Sequence, residues 1–161
     1  MNNLTPVHIV DNFLLNPTNP VTVCLIGAGG TGSRVLTTLA EINWSLVALG
    51  HAGLHVHLYD DDTVTEANLG RQRFAASELG LCKSVARINN INRFYGTNWK
   101  AVPHRFRADS IERMPNYGKA NIYISCVDTA AARFDIAKVL DDRRDSGRYE
   151  RDRALYWLDM G

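Results

Sequence analysis

Residues 23–32 read Val23-Cys24-Leu25-Ile26-Gly27-Ala28-Gly29-Gly30-Thr31-Gly32, and their reading decides the fold. The apolar run Val21 to Ile26 has the length and composition of a buried strand. It stops at Gly27, and a helical pattern begins just after Gly32. Gly27, Gly29 and Gly32 therefore take the G-x-G-x-x-G spacing between a strand and a helix, with Gly30 beside them. Such glycines allow a tight turn and let the backbone approach a phosphate, which then sits at the positive end of the helix dipole. Glycine-rich turns also serve purely structural ends, so the motif alone implies no more than a candidate nucleotide site.

Working outward, residues 1–20 contain Pro6, Pro17 and Pro20 and read as an irregular arm. Thr31 to Leu49 read as a helix on Val35, Leu39, Ile42, Leu46 and Leu49. Gly50 and Gly53 end it. Leu54 to Tyr59 alternate as a second strand, with Leu54, Val56 and Leu58 on one face and His55, His57 and Tyr59 on the other. A loop with short helical turns runs to Gly80. Lys83 to Phe94 form a helix with Val85, Ile88 and Ile91 inward. Trp99–Val102 read as a third strand, Ser110–Met114 as a short helix capped by Ser110 or Asp109, and Asn121–Val127 as a fourth strand. Ala130 to about Arg143 form another helix with Ala132, Ile136, Val139 and Leu140 inward. A mixed-charge run over 141–153 reads as a solvated loop, and Ala154–Met160 as a fifth strand. Alternating strands and helices imply an α/β, Rossmann-like, doubly wound and mostly parallel sheet with helices on both faces. Ligands of such sheets gather at the carboxyl ends of the strands.

Composition narrows the class. A chain of 161 residues fits one domain with a hydrophobic core. Apolar content is 45% and charged content 22%, as in ordinary globular proteins. A net charge of +1 gives no electrostatic case for nucleic acid or a membrane surface. No signal-peptide pattern opens the chain, and no apolar run reaches the ~18 residues of a membrane span. The three cysteines, Cys24, Cys82 and Cys126, lack C-x-x-C spacing and suit reduced thiols in the cytoplasm. Cys82 beside Lys83 reads as an incidental thiol. His51, His55 and His57 look like a metal cluster at a glance, but no further ligand is spaced to complete a tetrahedral site. Trp44, Trp99 and Trp157 read as core or interface residues.

The second strand ends in Tyr59-Asp60-Asp61-Asp62, and Asp60 is the candidate for ribose hydroxyls. Downstream come Asn68, Arg71 and Gln72, then Lys83 at a helix start, Asp128 after the fourth strand, and Arg133 in the following helix. The topology brings these to one sheet edge. Arg71 and Lys83 supply charge for a triphosphate, and Asp128 suits Mg²⁺ held by a carboxylate plus phosphates. A hydride-transfer site needs no such set, which favours ATP over NAD.

The ordered pieces Gly-Ala-Gly-Gly-Thr-Gly, Asp62-Thr63-Val64…Asn68-Leu69-x-Arg71-Gln72, Lys83 and Cys126-Val127-Asp128 resemble the ThiF/MoeB and ubiquitin-activating-enzyme family. With the ending Trp157-Leu158-Asp159-Met160-Gly161, the chain is most similar to the ThiF-type proteins of plasmid-borne PRTRC systems. The resemblance implies ATP- and Mg²⁺-dependent adenylation of the C-terminal carboxylate of a small ubiquitin-like or sulfur-carrier protein, by a homodimer. It implies that Gly27, Gly29, Gly30 and Gly32 approach the phosphates and Asp60 the ribose. Asn68, Arg71 and Lys83 would steady the transition state, Gln72 would support Arg71, and Asp128 would bind Mg²⁺ or position the carboxylate. Arg71, Lys83 and Asp128 form the expected catalytic set, and Arg133 is expected to be structural.

Three departures stand against the resemblance. Residues 1–20 hold no arginine for the arm that many bacterial members donate to a partner subunit. The family's zinc-binding cysteine pairs and thioester cysteine are not present. The connection around Trp44 to His55 reads as longer than usual. These suggest an arm over 1–20 and an adenylation domain over 21–161 that is truncated on its C-terminal side. Three alternatives remain open: a non-catalytic partner-binding module, an NAD-dependent oxidoreductase, and adenylation of a small molecule or RNA base as in tRNA-modifying dehydratases.

Overall fold

The computed structural model describes residues 7–108, 112, 119–141 and 153–161. Most of the expected short helix at 110–114 and most of the charge run at 141–153 lie outside them. Five strands, β1 (Val21–Ile26), β2 (Leu54–Tyr59), β3 (Lys100–Val102), β4 (Ile122–Ser125) and β5 (Tyr156–Asp159), form one sheet in the order β3-β2-β1-β4-β5. Every pairing is parallel. The helices are α1, a single turn at Asn12–Leu15, then α2 (Gly30–Ala48), α3 (Lys83–Tyr95) and α4 (Ala130–Asp141). The strand order reverses beside β1, between β2 and β4, which is where open α/β sheets open a crevice for ligand.

Two apolar layers sandwich the sheet. Val23, Leu25, Val56 and Leu58 meet Leu36, Leu39 and Ala40 of α2 and Ile88 and Ile91 of α3. Cys24, Ile26, Tyr59 and Tyr123 meet Ile136, Val139 and Leu140 of α4. Both faces of the sheet are covered, so His57 on the second face of β2 is buried along with the aliphatic face.

Polar side chains set the register where the strands begin. Asn121, fully buried, accepts from the Thr22 amide through Oδ1 at 3.1 Å. Its carbonyl takes the Leu155 and Tyr156 amides at 2.8 and 3.1 Å, so one residue aligns β1, β4 and β5. Asn92 likewise grips both ends of the Trp99 peptide. His51 bridges the Leu14 carbonyl and the Gly53 amide, which makes it a turn clamp. His55 and His57 meet edge to face at 5.0 Å. Among the described residues no group of three or more potential ligands could hold a metal.

The stripe read on α2 needs correction. Leu36, Leu39 and Ala40 are buried, whereas Ile42 and Leu49 are exposed. A 19-residue helix is about 28 Å long, and a six-residue strand about 20 Å, so the last turns overhang the sheet. Trp44 to Ala48 are helical and the connection to β2 covers only residues 49–53. The long loop expected there is absent.

The glycine turn leaves no room for a side chain at two positions. Gly27 sits at φ +98°, and a Cβ there would lie 2.7 Å from the Cys126 carbonyl oxygen. A Cβ on Gly32 would lie 1.8 Å from the Gly27 carbonyl oxygen. Backbone must move to admit either. Gly29 differs, because its nearest neighbour would be Gln72 Nε2 at 3.9 Å. Gly32→Ala is therefore expected to cost ~3 kcal/mol or more by overpacking, and Gly29→Ala under ~1 kcal/mol. Urea midpoints that shift equally in both variants would refute this packing account.

Burial, reinforced by Lys100, holds the His55 imidazole below its ordinary pKa of 6.5. The unfolded chain then binds the proton more readily than the native one. This contribution to stability is present above pH 6.5 and is lost as pH falls through the lower native value. His55→Gln is expected to flatten that part of the stability profile between pH ~7.5 and ~5, read as the change in urea midpoint. An unchanged slope would refute the assignment.

Candidate functional site

The carboxyl ends of all five strands converge on a cavity of about 650 Å³. Its walls are the glycine turn after β1, Asp60–Asp62 after β2, Arg105–Arg107 after β3, Cys126–Thr129 after β4, and Met160–Gly161 after β5. Gln72, Lys83 and Asp135 complete the charged and polar lining.

The turn presents an uncapped helix start. Gly29 is the N-cap of α2 and has no side chain to bond the first amides. Those amides point along a positive dipole end into the cavity, the arrangement that receives an anion. Asp60 stands beside them. One carboxylate oxygen accepts from the Ala28 amide at 2.6 Å and the other from the Asp62 amide at 2.9 Å. Burial pushes its pKa above the ordinary carboxylate value, against the pull of these two amides. Each oxygen retains a lone pair, so the carboxylate keeps the capacity to accept further hydrogen bonds.

Residues 60–82 close into a loop anchored on α3. Thr63 bridges Cys82, and the Lys83 amide bonds the Asp62 carbonyl at 2.8 Å. The loop carries its own small core of Val64, Phe74 and Ala86. Buried Glu78 bonds the Ala75 amide and Asn90. Arg87 reaches the Arg73 carbonyl and Thr37, tying the loop to α2. Cys82 bonds the Asp60 carbonyl and Ser84, in keeping with a structural thiol.

This scaffold sorts the residues selected from sequence. Gly27, Gly29, Gly30, Asp60, Gln72, Lys83 and Asp128 all line the cavity. Lys83 is 8% exposed, and its Nζ lies 2.9 Å from Asp62. Gln72 has a buried amide oxygen with no hydrogen-bond partner among the described residues. Asp128 is exposed at the rim. Gly32 lies beneath the turn and serves packing. Asn68 and Arg71 are not in the lining. Asn68 is buried and its Oδ1 accepts from the amide and hydroxyl of Thr65, while Arg71 is exposed and donates through Nε to the Ala67 carbonyl.

Arg133 holds the Asp128 loop from behind. It donates to the Val127 carbonyl at 3.1 Å and pairs with Asp159 at 3.3 Å. Asp159 in turn accepts from Ser125 Oγ at 2.9 Å, which receives the Trp157 indole N–H at 3.0 Å. Burial, then Asp159, raises the Cys126 thiol to about 11, so it stays protonated and unreactive at neutral pH.

Sequence reasoning missed Arg105, Phe106, Arg107 and Asp135. The rule that ligands gather at strand ends applies to β3 as well, and Arg105-x-Arg107 follows β3 by only a few residues.

The model of the ThiF family matches residues 11–143. No curated protein matches the chain. Among solved structures, Escherichia coli tRNA N6-threonylcarbamoyladenosine dehydratase TcdA superposes with a TM-score of 0.59 at 21% identity, covering 88% of this chain and 52% of that one. Its complex with ATP gives 0.58 at 22% identity, covering 88% and 51%. E. coli MccB with succinimide gives 0.59 at 18% identity, covering 76% and 35%. This chain thus spans about half the length of TcdA. At these identities the likeness establishes a shared fold. Residues 11–143 match the family model over most of the sequence, and the chain belongs to the ThiF family.

Proposed function

We propose that this protein binds ATP with Mg²⁺ and transfers AMP to the C-terminal carboxylate of a small ubiquitin-like or sulfur-carrier protein. The observation that carries this reading is Lys83. It is a buried cation in the wall of the cavity, at the first turn of a helix, where the helix dipole disfavours positive charge. A second cradle, the uncapped start of α2, opens into the same space.

In this reading the α2 amides hold phosphate oxygens and Asp60 holds the ribose. Lys83 exchanges Asp62 for the triphosphate and neutralises charge as it shifts. A carboxylate oxygen of the carrier attacks the α-phosphorus. The bond to the bridging oxygen breaks, and pyrophosphate leaves with the electron pair. Asp128, with no hydrogen-bond partner among the described residues, has the donor chemistry for Mg²⁺, which supplies charge neutralisation on the phosphates. Arg71 would join only after leaving the Ala67 carbonyl, so Lys83 is the principal cation.

Within the family we read the chain as the PRTRC type, on the strength of its ending Trp157-Leu158-Asp159-Met160-Gly161, and as a cytoplasmic homodimer, on the strength of the resemblance. No helix among the described residues is long and apolar enough to cross a membrane.

Calorimetry with ATP–Mg²⁺ and with NAD tests the reading. Wild type is expected to bind ATP in preference to NAD. Lys83→Ala is expected to weaken ATP by ~10- to 100-fold, as for a lost charge-assisted bond. Pyrophosphate exchange with a Gly-Gly-ended carrier is expected to fall by ~10²- to 10³-fold. NAD binding without ATP binding would overturn the proposal.

A further inference from the structure

The proposed nucleotide site has a wall that neither the glycine turn nor Lys83 explains. The sheet order β3-β2-β1 places the parts of a nucleotide in sequence. Phosphates sit on the turn after β1, and ribose sits on Asp60 after β2. The base then continues toward the end of β3, where Arg105 lines the cavity.

Arg105 is held in place without being needed for folding. Its Nε donates to both carboxylate oxygens of Asp61, at 3.2 and 3.1 Å. Its side chain is 61% exposed and that of Asp61 43%, so the pair contributes little to stability. The backbone beneath is fixed by the next residue. Phe106 is buried and packs edge to face on Tyr59 at 5.2 Å and Tyr123 at 5.9 Å. The His104 amide turns back onto the Val102 carbonyl at 2.8 Å. The result is a planar guanidinium, clamped by a carboxylate, beside the space into which the base of the proposed nucleotide would extend. Such a plane stacks face to face on an aromatic base, a contact that the point charge of a lysine does not reproduce.

We infer that Arg105 is the base-stacking residue of this site and that Asp61 is its positioning residue. The inference rests on the nucleotide-binding reading above and assigns to it a contact that governs affinity for the base. A phosphate contact would draw the Arg105 guanidinium away from Asp61. A stacked guanidinium keeps Asp61 as its partner.

The experiment measures binding of AMP, ATP–Mg²⁺ and inorganic tripolyphosphate to wild type, Arg105→Ala, Arg105→Lys and Asp61→Asn. Urea midpoints confirm that each variant folds. Stacking predicts that Arg105→Ala weakens AMP and ATP by the same factor, about tenfold or more, and leaves tripolyphosphate unchanged. Arg105→Lys, which keeps the charge and loses the plane, is expected to match Arg105→Ala. Asp61→Asn is expected to weaken both nucleotides less, and equally. Loss of ATP and tripolyphosphate binding with AMP unaffected, or rescue by lysine, would make Arg105 a phosphate ligand and overturn the inference. No change for any probe would overturn it too. If wild type bound none of the probes, the nucleotide-binding reading itself would fall, and this inference with it.

Discussion

Asp60 is the junction on which the site depends. Its backbone amide donates to the Val102 carbonyl of β3, at 3.2 Å. Its carbonyl accepts from Ser84 at 2.9 Å and from Cys82 at 3.3 Å at the start of α3. Its carboxylate takes amides from the glycine turn and from its own loop. One residue thereby fixes β1, β2, β3 and α3 relative to one another. Desolvation raises its pKa while the amides oppose that shift. The site thus places a half-desolvated carboxylate where a ligand's hydroxyls can restore what burial removed.

Lys83 shows a second local conflict. Helix starts favour acidic residues, yet α3 opens on a buried lysine and has no acidic residue in its first turn. Asp62 compensates at 2.9 Å from a carboxylate that is 60% exposed. An exposed partner can be exchanged at small cost, so the cation is stabilised by Asp62 and remains available to an anion in the cavity. Departures from local preference that persist in a well-packed chain concentrate at functional sites. Here the departure faces the cavity.

Much of this was legible from periodicity. β1 and β2 have the bounds that their apolar runs indicate, because both are buried strands ended by chain-breaking residues, Gly27 and the Asp60 turn. The sheet type followed from alternation of strands and helices. The buried face of α2 was misread because a hydrophobic period does not say how far the sheet beneath extends. Ile42 and Leu49 keep the period beyond the strand and stay in solvent. At the site, glycines and charged residues at strand ends stood out, since the topology alone brings them together. The side-chain commitments of Asn68 and Arg71 did not. They depend on a capping bond within 65–68 and on a carbonyl one turn back, and neither leaves a mark in spacing. Arg105 escaped notice because its role arises only from a carboxylate 44 positions away.

The charge balance of the cavity constrains what it can accept. Asp60, Asp61, Asp62, Asp128 and Asp135 line it against Lys83, Arg105 and Arg107. Two of the three cations are already engaged by Asp62 and Asp61. A polyanion entering such a space meets acidic walls, offset by the α2 dipole, which is equivalent to roughly half a charge. Amides, Arg107 and one exchangeable lysine do not balance a triphosphate surrounded by these carboxylates. In the proposed reading a divalent cation arriving with the nucleotide would do so, and Asp128 would then act as a ligand in place of a repulsive neighbour. The acidity that argues against a bare phosphate site therefore argues for a metal–nucleotide site, and the uncapped helix start supplies the neutral donors that such a ligand still requires.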